Sequence, residues 1–217
     1  MESENILPLG FAFIPDCKDR HAVFYLHQRI QEKYPSEYIL QENGTSLLPH
    51  ISLFQGRFLE EKLPILIKLF ERKGIQRPRA LSVPVFGVEV WATKIFFLDL
   101  VITPLLCIWE RELRTCFNPL RERAYGPADP QQFMGISTAE QYSWDKYGIP
   151  FVGDAFRPHF TLGRSEHLDG DEVLFAQMLE KEFPLPGEIT FTHLVLFDVG
   201  TFGSVENIRH SIRLGKE

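Results

Sequence analysis

Two stretches of this chain carry the same pattern. Pro49-His50-Ile51-Ser52-Leu53 and Pro158-His159-Phe160-Thr161-Leu162 both read Pro-His-apolar-(Ser/Thr)-Leu, at an offset of 109 residues. Side chains alternate between the faces of a β-strand, so His50 and Ser52 share one face while Ile51 and Leu53 take the other. His159 and Thr161 are separated from Phe160 and Leu162 in the same way. Each half of the chain therefore offers an imidazole beside a hydroxyl, and two halves facing across a groove bring four polar groups to one small anionic ligand.

Two imidazoles bracketing a phosphate suit acid/base phosphoester chemistry. The neutral ring takes a proton from the nucleophile, and the protonated ring gives one to the departing oxygen. Histidine fits both roles because its ordinary pKa of about 6.5 lets modest environmental shifts populate either form near neutrality. The Ser and Thr hydroxyls can donate to the non-bridging oxygens, where charge is held in the transition state.

Composition narrows the partners. The formal net charge of −6 argues against a protein that grips a nucleic-acid duplex along a basic face. It leaves room for one phosphate or a short oligonucleotide, with Arg157 and Arg164 supplying positive charge locally. Three cysteines, Cys17, Cys107 and Cys116, form neither a disulfide framework nor a Cys-x-x-Cys pair, which favours a reducing compartment. Met1-Glu2-Ser3-Glu4 lacks the basic start of a secretory signal, and the most apolar region, Val83 to Trp109, is broken by Glu89, Lys94, Asp99 and Pro104. A cytoplasmic protein without a membrane span is expected.

Along the chain, Leu7 to Ile14 predicts a buried strand ending at Pro15-Asp16, and Asp16 or Asp19 caps a helix to about Lys33. His27 falls on that helix's apolar side, as a packed, singly bonded imidazole. Leu47 to Arg57 is the first motif strand, and Glu60 to Lys73 a second helix stopped by Gly74. Ala80 to Val90 and Lys94 to Ile102 pair as a hairpin, and Thr103-Pro104 opens a helix with Leu106, Trp109, Leu113 and Phe117 on its buried stripe. Ala124 to Gly153 shows no clear periodicity and reads as a long functional or mobile loop. Asp169 to Glu182 is helical, and Glu188 to Asp198 and Glu206 to Leu214 are strands.

At the same offset of 109, His50 falls on His159, Ser52 on Thr161, Gln55 on Arg164 and Leu81 on Thr190. Each half is then helix, motif strand, helix and two strands. The expectation is an α+β, bilobal duplicated fold: two small antiparallel sheets flanked by helices, with a central groove that receives both His-x-(Ser/Thr) strands. Residues 1–217 form one domain made of two pseudo-symmetric lobes.

These motifs, with the opening strand Phe11-Ala12-Phe13-Ile14-Pro15, the hairpin region Val88 to Leu100 and the run on to Gly163-Arg164, make the sequence resemble the 2H phosphoesterase superfamily. That superfamily includes 2'-5' RNA ligase-like proteins and 2',3'-cyclic nucleotide phosphodiesterases. The resemblance covers essentially the whole chain. It implies attack on 2',3'-cyclic phosphates or 2'-5' linkages with no cofactor and no required metal, His50 and His159 forming the acid/base pair. It further implies that Ser52 and Thr161 hold the phosphate and that Arg164 takes the basic position after the second motif. Ser in the first motif, where Thr is common, and the long Ala124 to Gly153 segment depart from the pattern.

The implied partner is a nucleotide or RNA end carrying a cyclic phosphate or a 2'-5' linkage, met by a monomer. Tyr147 and Phe202 are candidates for stacking on a base. Three other functions compete: the same chemistry run backwards as a 2'-5' ligase, a nucleotide- or RNA-binding module without turnover, and a two-histidine metal site. No further Asp, Glu, His or Cys accompanies either motif at ligand spacing to support the last.

Overall fold

A computed structural model of the chain describes residues 5–44, 46–76, 80–91, 94–124, 136–165 and 170–215. The strands are β1 (Ile6–Pro15), β2 (Ile51–Leu59), β3 (Leu81–Val90), β4 (Ile95–Leu100), β5 (His159–Arg164), β6 (Glu188–Val199) and β7 (Val205–Arg213). The helices are α1 (Cys17–Lys33), α2 (Leu63–Gln76), α3 (Pro104–Phe117), α4 (Thr138–Tyr147) and α5 (Glu172–Glu182).

Among the described residues the strands form one antiparallel seven-stranded sheet in the order β2-β1-β6-β3-β4-β5, with β7 also on β6. The two expected sheets are thus continuous. One section is β2, β1, β6 and β7, the other is β3, β4 and β5, and they join where Leu81 to Pro84 pairs with Phe191 to Glu188.

Each half runs helix, motif strand, helix and two strands, with β1 added ahead of the first and α4 inserted before the motif strand of the second, but neither half builds its own section. The motif strand of the first half, β2, lies in the section that holds the second half's hairpin, β6 and β7. The motif strand of the second half, β5, lies beside the first half's hairpin, β3 and β4. Helices follow the same exchange, with α1 packed on β5 and α3 on β2.

Local sequence explains where the helices start. Asp16 Oδ1 accepts from the Asp19 N–H at 2.9 Å, and Thr103 Oγ1 accepts from the Leu106 N–H at 3.3 Å with Pro104 in the first turn. A side-chain cap of this kind is worth about 1 kcal/mol. Buried Asp19 also accepts from the Thr190 N–H at 2.7 Å, which ties α1 to β6.

Several boundaries differ from expectation, among them β2, which starts at Ile51 and not at Leu47. A 3-10 turn over Glu60–Lys62 precedes α2, which runs past Gly74 to Gln76, and α5 begins at Glu172. The segment expected to be a loop contains α4. Ser137 and Glu140 close a capping box at its start, and Gly148, at φ 78, ends it in the left-handed conformation. Residues 125–135 of that segment lie outside the described residues.

The main core lies between the helices and the sheet, around Phe11, Phe13, Phe54, Phe58, Phe70, Phe117, Phe160 and Phe191. A smaller apolar cluster, including Ala12, Ile14, Leu48, Val195, Phe197 and Val205, covers the opposite face of the β1/β6 section. No helix among the described residues is long and apolar enough to cross a membrane.

Candidate functional site

The two motif strands line one groove of about 440 Å³. His50, Ser52, Gln55 and Arg57 reach it from β2 and its approach, and His159, Thr161 and Arg164 from β5. Strict alternation would send Gln55 and Arg164 to the other face. A bulge in each strand prevents this. Phe11 pairs with Phe54 and Ala12 with Ser52, so Leu53 has no partner; Phe96 pairs with Gly163 and Phe97 with Thr161, so Leu162 has none. The extra residue resets the alternation and returns the next side chains to the groove. Leu53 and Leu162 are themselves related by the 109-residue offset, so the irregularity is duplicated with the motif.

Both imidazoles are anchored alike. His50 Nδ1 donates to the Leu48 carbonyl at 2.9 Å and His159 Nδ1 to the Arg157 carbonyl at 2.8 Å, each bond reaching two residues back. Donation through Nδ1 fixes the tautomer and leaves Nε2 as the basic nitrogen. His50 is buried, with its ring edge-on to Phe197. His159 is half-buried in a corner of aromatic rings, its centroid 4.0 Å from that of Phe97 and 5.0 Å from that of Phe151.

Burial disfavours the charged form of both rings. It lowers His50 below the ordinary histidine value and pushes His159 down to about 3, with the positive charges of Arg157 and His50 adding to the second shift. The charge of one imidazole therefore reaches the other. Both rings are neutral at neutral pH.

Most of the remaining lining is apolar or cationic. Phe97 and Phe151, with Trp91 against both, wall the end beside His159; Trp144 also lines the groove, and Tyr38 and Phe202 meet edge-on in the lining. Arg57, Arg157 and Arg164 line the groove, and no carboxylate does among the described residues. Arg157 is spoken for: its guanidinium bonds Asp99 and Glu89 and lies over the rings of Phe97 and Phe151. Arg164 differs, since its Nε is buried and has no hydrogen-bond partner among the described residues.

Phe202 keeps a place in the lining and is half-exposed. It sits at φ 56, ψ 24 inside the turn Thr201–Gly203, a conformation bulky side chains rarely hold. Tyr147 does not line the groove. It is 5% exposed and packs edge-on to Phe54, with Arg114 and Arg121 over its ring and its hydroxyl accepting from Arg114, so no base can reach its face. As the last residue of α4, it is turned by the helix into the core.

His27 holds the second motif strand in place. Its Nδ1 donates to the Leu162 carbonyl at 2.7 Å and its Nε2 accepts from the Leu40 N–H at 3.1 Å, two bonds where the sequence suggests one. The Leu162 carbonyl belongs to the bulge. Gly163, next to it, lets α1 approach closely, because a Cβ there would stand 2.9 Å from Ile30 Cγ2.

No protein-family model matches the chain, and no curated protein does so by sequence. The fold does define a class. An α+β chain with this open antiparallel seven-stranded sheet, two motif strands and one groove has the LigT-like fold. Solved structures that share it include TT0787 of Thermus thermophilus at a TM-score of 0.59 and 16% identity, covering 97% of this chain and 100% of that one. E. coli LigT complexed with 3'-AMP matches at 0.54 and 16%, covering 97% and 99%, and a phosphoesterase at 0.52 and 17%, also covering 97% and 99%. At this level of identity the likeness is one of fold.

Proposed function

We propose that the chain is a 2H phosphoesterase, working as one bilobal unit, that opens 2',3'-cyclic phosphate ends of nucleotides or RNA, or cleaves 2'-5' phosphodiester bonds. The observation that carries this reading is the pair of identically anchored imidazoles on duplicated, bulged strands in one groove whose described lining holds no carboxylate. The fold shared with E. coli LigT, seen elsewhere with 3'-AMP, supports a nucleotide-sized phosphate as ligand.

In the reaction a water oxygen attacks phosphorus while the bond from phosphorus to the 2' or 3' oxygen breaks. One neutral imidazole takes the water's proton, and the other, protonated when the anion binds, delivers a proton to the departing oxygen. His50 and His159 fill these two roles. Ser52 and Thr161 donate to the non-bridging oxygens, and the guanidinium of Arg164, in the groove lining, supplies positive charge beside them. None of these steps calls for a metal.

Ligation through a 2'-5' bond uses the same two roles with a ribose 5' hydroxyl in place of water: its oxygen attacks the cyclic phosphate and loses its proton to one imidazole, while the other protonates the departing 3' oxygen. The deciding experiment incubates the protein, with chelator present, with 2',3'-cyclic AMP, an RNA ending in a cyclic phosphate and a 2'-5' oligoadenylate. Phosphomonoester or cleaved products are expected. Failure on all three, or activity that disappears with chelation and returns with zinc or manganese, overturns the reading.

A further inference from the structure

Past Ser52 and Gln55, the groove lining continues along β2 to Arg57. That strand stands at the end of the sheet order, and the chain that follows α3 returns to pair with it at one point. Arg57 and Arg123 form an antiparallel bridge, in which the Arg57 N–H donates to the Arg123 carbonyl at 3.3 Å and the Glu122 N–H to the Arg57 carbonyl at 2.8 Å. Residues directly opposite each other in an antiparallel pair carry their side chains on the same face. Phe54 and Phe58 turn into the main core, so Gln55 and Arg57 take the groove face, and Arg123 joins them there.

Like charges opposite one another on a sheet are destabilising. The neighbouring side chains do nothing to relieve this pair. Glu122 is held by Lys62, and Arg121 donates to the carbonyls of Lys146 and Tyr147. The side chains of Arg57 and Arg123 are exposed and have no ion pair or hydrogen bond among the described residues. Acids outnumber bases in this chain by 29 to 23, yet none of them reaches the described lining of the groove that Arg57 extends. Two unneutralised guanidiniums side by side are therefore an arrangement that an anion from outside the chain would stabilise.

We propose that Arg57 and Arg123 form a second phosphate site, which takes an internal phosphodiester of a single-stranded oligonucleotide while the terminal phosphate lies at His50 and His159. This rests on reading the groove as a phosphate site, and it assigns the substrate to oligonucleotides over mononucleotides. A guanidinium presents a planar fork of donors that matches two phosphate oxygens at once and neutralises their charge. Arg57 stands five residues beyond Ser52, roughly 15 Å at the rise of an extended strand, a spacing that suits a neighbouring phosphate of the same nucleic-acid chain. Phosphate contacts carry no base information, so the site selects for length and not for sequence.

Adenosine 3'-monophosphate, and adenosine di- and trinucleotides that end in the same 3'-phosphate, supply the test. Calorimetric titration gives their affinities for the protein and for the variants Arg57→Gln and Arg123→Gln. The longer ligands should bind about tenfold more tightly than the mononucleotide, the scale of one charge-assisted contact, and their affinity should fall more steeply with salt, by about 0.7 in log–log slope. Oligonucleotides whose internal linkages are uncharged methylphosphonates should lose that gain. Each variant should lose most of it, and Arg123→Gln should bind the mononucleotide as the unaltered protein does. Urea unfolding checks that each variant is folded, and removing a like-charge repulsion should not lower its midpoint. Equal affinity at every length, or a gain that survives in the methylphosphonates, overturns the second site, and a gain that survives in one folded variant overturns the role of that arginine. Failure of every ligand, the mononucleotide included, removes the phosphate-site reading itself.

Discussion

His27 on α1 and Leu162 on β5 stand 135 residues apart in sequence and are joined by a 2.7 Å hydrogen bond from imidazole to backbone carbonyl. The bond pins the bulge that returns Arg164 to the groove, and the same ring takes the Leu40 N–H two residues beyond Tyr38. One buried imidazole thus braces both the second motif strand and the segment that carries the tyrosine.

His27→Ala should cost about 2–4 kcal/mol, because it strands a buried carbonyl and a buried N–H at once. Urea unfolding measures this directly. A loss within about 0.5 kcal/mol, the usual range for an inconsequential surface change, would show that the brace is dispensable.

Acid should destabilise the protein early. His27, His50 and His159 all have folded pKa values below the unfolded value of about 6.5, in each case chiefly through burial. A depressed folded pKa gives stability that is complete above the unfolded value and is lost as pH falls, since the unfolded chain binds the protons first. The urea midpoint should therefore drop as pH falls from about 6.5 towards the value of about 3 for His159. A midpoint constant to pH 5 contradicts this.

Anion binding should take up protons. Burial holds both motif histidines neutral at pH 7, and a bound oxyanion favours the imidazolium. Sulfate does not itself titrate there, so its binding heat measured in two buffers of different ionisation enthalpy reports the protein's protons alone. Net uptake is expected, and weaker uptake in His159→Ala; release would reverse the electrostatic picture.

His50→Ala and His159→Ala should each lower the rate by about 10²–10⁴-fold, with product binding largely kept. The double variant should fall well short of the product of the two losses, because proton donor and acceptor act as a unit. Ser52→Ala and Thr161→Val should cost less rate and more phosphate affinity. Near-normal rates in both histidine variants, with stability lost instead, would make the rings structural.

The motif pair, the order of elements within each half and the capped starts of α1 and α3 are legible in the sequence because each rests on contacts within a few residues. The bulges are not. Alternation alone puts Arg164 on the face away from Thr161, and only the pairing of β5 with β4 shows Leu162 without a partner. The exchange of hairpins between sections is likewise a long-range pairing that no local pattern encodes. Tyr38, which lines the groove, stands in a segment without periodicity, so nothing near it signals that place. For α4 the signal is present: Ser137 and Glu140 are spaced as a capping box, outweighed by the Gly, Pro and Gln content around them. That helix is what moves Tyr147 from the groove to the core.

The crossing of strands between the two sections also bears on how such a molecule could arise. Among the described residues the second half's motif strand, β5, has only β4 of the first half as its strand neighbour, so a half-length chain of that kind would need a second copy to pair its motif strand. Fusing two such chains end to end keeps that pairing and frees each copy to change alone. Gln55 and Arg164, equivalent at the 109-residue offset, illustrate that freedom: the bulged backbone is repeated, while one side chain steadies a hydroxyl and the other brings a charge to the groove.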